Sequence, residues 1–286
     1  MKKGENVVLK KSDIRIRDPF ILIDDGKYYM YGTTDFGDGI AAQAKYSAYV
    51  SSDLESFEGP FCIFDGEAIG FWATKDYWAA EVWKHNGKYY LFGSFKSETH
   101  TRASQILESD NPLGPFKPIS DKPTTPEEWE CLDGTFFVEN GKPYMVFCHE
   151  WVQCVDGEMC AVELSEDLSR TVGEPVLLFR AGDNPAVSGF NSRRYGENCK
   201  ITDGPFLFKR NGKLNMIWSS HSNGKYAVLE AEADSLFSEW HHKPGRFEFD
   251  GGHAMIFKAL DGKEYISLHK PNKVGEERAT FIEFTD

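Results

Sequence analysis

The hydrophobic pattern of this chain is a short apolar, aromatic-rich run that recurs after a two-residue polar turn. Each run follows Asn-Gly-Lys or Asp-Gly-Lys, and apolar residues also precede the turn. The five copies span residues 24–33, 85–94, 139–148, 210–219 and 260–269. Asn-Gly and Asp-Gly favour the type I′ turn, in which both central residues take positive φ. Each copy therefore predicts the tip of a β-hairpin.

A second pattern repeats between the hairpins. Another apolar stretch runs into an acidic, loop-like phrase at residues 48–61, 104–116, 160–175 and 226–240, and a shorter copy lies at 279–284. Each unit thus has at least three strands, and a unit of about 50 to 70 residues written five times is typical of a propeller. We predict an all-β, five-bladed β-propeller. The fifth unit is short, and residues 6–10 are predicted to supply its missing strand.

Length and composition agree with one propeller over residues 1–286. No Pro- or Ser-rich linker divides the chain, and no stretch has the 3.6-residue apolar period of a long helix. No apolar run approaches the about 18 residues of a membrane span. The N-terminus lacks the apolar core of a signal peptide. This predicts a cytoplasmic protein, or an exported one whose leader is not part of this sequence.

Charge and cysteine content narrow the function classes. A formal net charge of −13 argues against nucleic acid as a partner and favours a neutral or cationic ligand. The six cysteines form no CxxC pair, and a fold of this size does not need disulfides. We expect mostly buried thiols.

The candidate chemistry lies just before each hairpin. Counting back from the five turn glycines, eight, six, eight, nine and nine residues lead to Asp18, Glu81, Asp133, Asp203 and His253. The first strands of propeller blades line the central channel in one direction, so these side chains are predicted to meet at one mouth. Crowded buried acids are a functional-site signal. The alternative is that they tie neighbouring blades together, and for Glu81 the two readings are balanced.

The same phrases carry a family resemblance. RDPFIL with DGKYYMYGT, WAAEVWKHNGKYYLF, LDGTFFVENGKPYMV and TDGPFLFKRNGK resemble the family 43 glycoside hydrolases over nearly the whole chain. The resemblance implies a five-bladed propeller that hydrolyses glycosides with inversion. Its substrates would be α-L-arabinofuranosides, β-D-xylosides or β-D-galactofuranosides in oligosaccharides or polysaccharide side chains, probed from the chain end.

Roles follow from the resemblance, position by position. Asp18 matches the general base, and Asp133 matches the aspartate that tunes the pKa of the acid. At the general acid this sequence departs, with Asp203-Gly-Pro in place of the usual Glu-Gly-Pro or Glu-Ala-Pro. We prefer Asp203 as the acid, with Glu197 as the alternative. Inversion needs an acid and a base about 6.5–9.5 Å apart, and blades one and four can face each other across the channel.

The resemblance also implies a channel calcium ion held by His253 and water. The alternative is a channel histidine without a metal. No organic cofactor is expected.

Sugar sites need aromatic walls, for which Trp78 and Trp151 are preferred over Phe36 and Trp72. Glu81 and His221 are the other predicted substrate contacts, and Arg193 and Arg194 lie in an insertion that either covers the site or is solvated.

Two function classes remain. The first is an exo-acting inverting glycosidase. The second is a carbohydrate-binding propeller that kept the pocket but lost the general acid, which the departure at Asp203 makes conceivable. The sequence does not decide the oligomeric state.

Overall fold

Five antiparallel β-sheets, each built on one of the predicted hairpins, form a five-bladed propeller in the computed structural model, which describes residues 7–34, 44–243 and 250–284. The predicted fold class is confirmed. The first strand of each blade packs against the first strands of its neighbours around the axis. The channel-facing residues of five blades therefore share one centre.

The strands are numbered in chain order. Blade one contains β1 (Val8–Lys10), β2 (Arg17–Asp24), β3 (Lys27–Thr33), β4 (Lys45–Ser51) and β5 (Ser56–Asp65). Blade two contains β6 (Lys75–His85), β7 (Lys88–Lys96), β8 (Ala103–Ser109) and β9 (Lys117–Pro118). Blade three contains β10 (Cys131–Glu139), β11 (Lys142–His149), β12 (Glu158–Leu164) and β13 (Thr171–Arg180). A separate hairpin follows, β14 (Phe190–Ser192) and β15 (Gly196–Cys199). Blade four contains β16 (Asp203–Arg210), β17 (Lys213–Ser222), β18 (Lys225–Ala233) and β19 (His241–His242), and blade five contains β20 (Gly252–Lys258), β21 (Glu264–Lys270) and β22 (Arg278–Glu283).

Helical structure is limited to single turns. The α-helices are α1 (Gly66–Ile69) and α2 (Trp151–Cys154), and the 3₁₀ turns are Lys11–Asp13 and Ala181–Asp183. Within the described ranges, none of these helices is long or apolar enough to cross a membrane. All six cysteines are free thiols, four of them buried.

Four of the five predicted turns have the type I′ backbone. The Asp or Asn and the Gly that follows it both have positive φ at Asp25, Asn86, Asn140 and Asn211. The fifth turn differs, because the N–H of Ala259 bonds to the carbonyl of Lys263 and so encloses a longer loop. That extra length explains why His253 lies nine residues before its glycine although it occupies the same place in its blade as Asp18.

The prediction that residues 6–10 complete blade five is wrong. The strand β1 pairs with β5, Leu9 opposite Phe57, and so becomes the outermost strand of blade one. The chain reaches blade five slightly later, through an isolated bridge between Arg15 and Arg278. A three-residue edge strand carries too little pattern to specify its partner.

One aromatic residue closes the channel below the mouth. The indole of Trp83, on blade two, contacts Phe20 of blade one at a centroid distance of 5.2 Å, Phe136 of blade three at 6.1 Å and Phe206 of blade four at 5.9 Å. Such ring clusters bury large apolar areas. The acids above Trp83 therefore lie in a pocket with an apolar floor.

Candidate active site

A kink at the start of every first strand points one residue into the mouth. The strand pairing shifts there by a β-bulge, and the residue at the bulge has a φ near +50° in each blade. These five equivalent residues are Asp18 (56°), Ala79 (48°), Asp133 (55°), Gly204 (50°) and His253 (50°). Bulges commonly redirect side chains next to functional sites.

Hydrogen bonds between blades hold these kinks in a ring. At four of the five junctions, the backbone N–H of the kinked residue donates to a side chain at the end of the preceding blade's second strand. The pairs are Ala79 to Thr33 Oγ1, Asp133 to Ser94 Oγ, His253 to Ser219 Oγ and Asp18 to His269 Nδ1.

The junction between blades three and four uses a different acceptor. Its equivalent position holds Cys148, paired with Leu132 as Ser94 pairs with Trp78. The N–H of Gly204 instead donates to Oδ2 of Asp133, at 2.9 Å. Asp133 thus ties two blades together, as the alternative reading of these acids proposed, and places its carboxylate next to Asp203.

Asp18 is surrounded by groups that favour its ionised form. The Thr33 hydroxyl donates to its Oδ2 at 2.7 Å, and its Oδ1 lies 3.4 Å from His253 Nδ1 and 3.3 Å from His269 Nδ1. Burial, the largest single influence, would raise the pKa of Asp18. His253, His269 and Arg17 together outweigh burial and hold that pKa well below its ordinary range.

Asp133 and Asp203 are shifted in the opposite direction. Burial, followed by the charge of Asp18, raises the pKa of Asp133 to about 8. Burial, followed by the charge of Asp133, raises the pKa of Asp203 to about 8, although the phenol of Tyr226 donates to its Oδ2 at 2.9 Å. Near neutral pH the mouth therefore combines an ionised Asp18 with a protonated Asp203.

The offsets explain where Asp203 and Glu81 lie. Gly204, eight residues before its turn, is equivalent to Asp18, so Asp203 lies one residue earlier in its blade. Glu81, at six residues, lies two residues further along its strand and below the ring. It is 5% exposed, and its Oε2 accepts hydrogen bonds from Thr135 at 2.6 Å and Trp83 at 3.0 Å.

Glu81 was predicted to be a substrate contact in the ring of acids, and its geometry favours the structural alternative. Burial raises its pKa to about 7, despite the two hydrogen bonds. It links blade two to blade three just above the apolar floor.

His253 stands between two of the acids. Its Nδ1 is 3.6 Å from Asp133 Oδ2, in addition to its contact with Asp18. A Cβ added to Gly204 would lie 2.7 Å from the imidazole ring, so glycine is required there for His253 to approach. Because Nδ1 faces the carboxylates, Nε2 is the nitrogen left to bind an ion.

One other group of donors could in principle hold a metal ion. In the part of the chain that the structure describes, His149, Cys154 and Glu158 bring three ligand atoms within 4.8 Å of one another. Their atoms are already engaged, since His149 contacts Glu158 through Nδ1 and Gln153 through Nε2. Burial raises the pKa of Cys154 to about 12, which disfavours the thiolate that a metal needs. This group is an internal hydrogen-bond network.

The preferred aromatic candidates differ in their surroundings. The guanidinium of Arg102 lies 3.9 Å over the ring of Trp78, and Asp76 and Glu150 hold Arg102 in place through 2.9 and 2.8 Å ion pairs. One face of Trp78 is therefore covered. Trp72 donates to Gln105 and contacts Phe95, the loop packing considered for it. Phe36 lies outside the described residues.

Trp151 and His221 meet on the inserted hairpin. Phe190 of β14 contacts the ring of Trp151 at 4.9 Å and that of His221 at 5.7 Å. Burial lowers the pKa of His221. Glu197, on β15, is exposed, as are Arg193 and Arg194.

Comparisons with known proteins agree with this geometry. The family model described as Glycosyl hydrolases family 43 matches residues 5–285. The chain belongs to glycosyl hydrolase family 43. The crystal structure of an endo-arabinase from Bacteroides thetaiotaomicron VPI-5482 is 36% identical, with a TM-score of 0.88 over 99% of this chain and 98% of that one.

Two further relatives are more distant. A xylosidase/arabinosidase from Bacteroides ovatus is 25% identical over 71% of this chain and 70% of its own length. A family 43 β-xylosidase/α-arabinofuranosidase from a compost microbial metagenome, solved with xylotriose in a calcium-free form, shares the fold at 19% identity, with a TM-score of 0.72 over 98% of this chain and 95% of that one. The family membership makes this protein a glycosidase.

Several residues of this family 43 site were not predicted from the sequence. Tyr226 follows Asn223-Gly224-Lys225, a further copy of the turn signal, which joins β17 to β18 and returns the chain to the mouth. His269 and Thr33 end the second strands of their hairpins, the same end at which the acids begin. Antiparallel pairing alone would have placed them there. Arg102 gave no comparable signal.

Proposed function

We propose that this family 43 protein hydrolyses α-L-arabinofuranosides with inversion, with Asp203 as general acid and Asp18 as general base. The observation that carries the proposal is the opposite protonation of the two groups, since the environment keeps Asp18 ionised and Asp203 protonated near neutral pH. They lie on blades one and four, which are not neighbours in a ring of five. An inverting enzyme needs such a pair on opposite sides of the sugar.

Each group has a distinct step. Asp203 donates its proton to the glycosidic oxygen as the bond to the anomeric carbon breaks. Asp18 accepts a proton from a water molecule that attacks the same carbon from the other face. The Thr33 hydroxyl fixes Oδ2 of Asp18, which leaves Oδ1 on the side of His253.

Asp133 would act through Asp203. Its carboxylate is held by the Gly204 N–H, one residue from the acid, and its charge raises the pKa of Asp203 after burial does. The shorter side chain of aspartate, compared with the family's usual glutamate, requires the sugar to lie closer to the strand. Glu197 is the weaker candidate for the acid because it is exposed on the inserted hairpin.

Arabinofuranosides are proposed as substrates because the 36% identical structure is described as an endo-arabinase and the Bacteroides ovatus relative as a xylosidase/arabinosidase. β-D-Xylosides are the second candidate from the latter description. The partners would be oligosaccharides or polysaccharide side chains. Action from the chain end stays a prediction.

The residues at the channel centre also fit a calcium ion. His253 Nε2 would bind it, with water supplying the remaining ligands, since calcium prefers oxygen. When bound, the ion would add positive charge beneath the acids. The distant relative described as a calcium-free form supports a metal in that protein.

A product analysis tests the proposal. Wild-type protein should release arabinose from aryl α-L-arabinofuranoside and from α-1,5-linked arabino-oligosaccharides, and proton NMR should detect the β-anomer first. Arabinose alone from the oligosaccharides indicates action from the chain end, and shorter oligomers indicate internal cleavage. Sugar binding without any hydrolysis would overturn the proposal in favour of the binding propeller, which no relative supports.

A further inference from the structure

The inserted hairpin β14–β15 lies beside the acid side of the mouth and is fixed at both ends. Before it, the N–H of Ser188 bonds to the carbonyl of His221, and Ser188 Oγ accepts from the N–H of Asn223, both in blade four. After it, Lys200 bonds through its N–H and its carbonyl to Val155 and Gly157 of blade three. The hairpin therefore bridges the rims of blades three and four.

A continuous row of aromatic rings runs from Asp203 onto this hairpin. Tyr226, which donates to Asp203, has its ring 6.0 Å from His221, and His221 is 5.7 Å from Phe190. Trp151 then contacts Phe190 at 4.9 Å and Tyr195 at 5.2 Å. The row connects the acid to the outside of the propeller.

The rings of the row are arranged edge to face. Trp151 meets Phe190 at 73° and Tyr195 at 84°, and all three side chains are partly exposed. In an edge-to-face pair, the ring that supplies its edge keeps both faces free of its partner. Arg194 lies over Tyr195 at 5.1 Å. Exposed ring faces are what the apolar face of a sugar packs against.

The position of the acid identifies which sugar this would be. A general acid protonates the oxygen of the leaving group, so the leaving sugar lies on the acid's side of the broken bond. Asp18, whose water attacks from the opposite face, belongs to blade one. The rim of blades three and four is thus the leaving-group side.

We propose that Trp151, Phe190 and Tyr195 form a binding surface for the leaving-group sugars of an oligosaccharide. This inference rests on the proposed function and adds a determinant of chain-length preference that the ring of blades does not supply. A substrate with a small aryl leaving group would not reach Phe190 and Tyr195, whereas a trisaccharide would.

The test is the ratio of kcat/KM for α-1,5-arabinotriose to kcat/KM for an aryl α-L-arabinofuranoside. We expect Trp151→Ala and Tyr195→Ala each to lower this ratio at least about tenfold, the scale of losing an aromatic anchor in a binding site. Trp151→Phe should retain most of it. Phe237→Ala is the matched control, because Phe237 is an exposed aromatic residue that packs on Tyr144 near the opposite end of blade three.

The outcomes separate the two proposals. An active enzyme whose ratio is unchanged in both alanine variants overturns the leaving-group surface only. Equal losses on both substrates in folded variants also overturn it, since the rings would then serve the sugar that is cleaved. A wild type inactive on both substrates overturns the proposed function, and this inference with it.

Discussion

Oδ2 of Asp133 accepts a hydrogen bond from the backbone N–H of Gly204 at the one blade junction where the second strand ends in Cys148. At the equivalent place, other blades present Thr33, Ser94, Ser219 or His269. A carboxylate that tunes the acid is thus also part of the ring that joins the blades. The two roles can be separated by mutation.

Asp133→Ala should destabilise the fold by about 1–3 kcal/mol, because it leaves a buried N–H without an acceptor. Adding Cys148→Ser should recover part of that loss, since serine supplies the hydroxyl that Ser94 and Ser219 supply elsewhere. The double variant should stay inactive. Denaturant unfolding and kcat/KM measure the two effects, and Cys160→Ser, at another buried thiol, is the control. Recovery of activity together with stability would contradict a chemical role for Asp133.

The pH dependence of kcat/KM should have an alkaline limb near pH 8. Asp203 is active while protonated, and its raised pKa keeps it so up to about 8. The acidic side should be flat, because the pKa of Asp18 lies well below its ordinary range. Tyr226→Phe removes a hydrogen bond that lowers the pKa of Asp203, so its alkaline limb should move to higher pH. Tyr144→Phe should not move it, and a limb that moves down in Tyr226→Phe would refute this assignment.

Asp18→Asn and Asp203→Asn should change stability in opposite directions. The pKa of Asp18 is lower in the folded chain than in the unfolded one, so its ionisation stabilises the fold at pH values above the unfolded pKa. Its loss should cost on the order of 1.5–3 kcal/mol at pH 7. The pKa of Asp203 is raised, so stability falls as pH rises from the unfolded pKa toward about 8, and Asp203→Asn removes that penalty. Equal shifts of the same sign would show that neither environment is as described.

Calcium should raise the melting temperature if His253 binds it, because a ligand of the native state alone stabilises that state by mass action. A chelator should lower the melting temperature of wild-type protein and leave His253→Gln unaffected. His221→Gln, in the aromatic row, should respond to the chelator like wild type. An unchanged melt with chelator and with added calcium would rule out a structural calcium ion in the channel.

Much of this architecture was readable in the sequence because one turn signal is written five times. Asn-Gly or Asp-Gly followed by Lys fixes each hairpin locally, and alternation along the strand then points Asp18, Asp133 and His253 to one mouth. The fold and the meeting of the acids follow from these local rules. The resemblance to the family added their roles.

What the sequence did not reveal depends on single-residue shifts and on contacts between distant segments. Asp203 and Gly204 differ by one residue in the ring, and Glu81 lies two residues below it, because bulges set the level of each side chain. The partner of Val8–Lys10 was decided by packing between the ends of the chain. The aromatic row on β14–β15 joins Trp151, Phe190 and His221 across 70 residues of sequence, which no local pattern predicts.

The central claim, that Asp203 is the general acid, is tested most directly by leaving-group dependence. We would measure kcat/KM of wild type, Asp203→Asn and Glu197→Gln on aryl α-L-arabinofuranosides whose leaving phenols span a range of pKa values. Asp203→Asn should lose most activity on the poorest leaving groups and least on the best, since an acidic phenol hardly needs a proton. Glu197→Gln should match wild type across the series. A steep dependence in Glu197→Gln with a wild-type profile in Asp203→Asn would contradict the account.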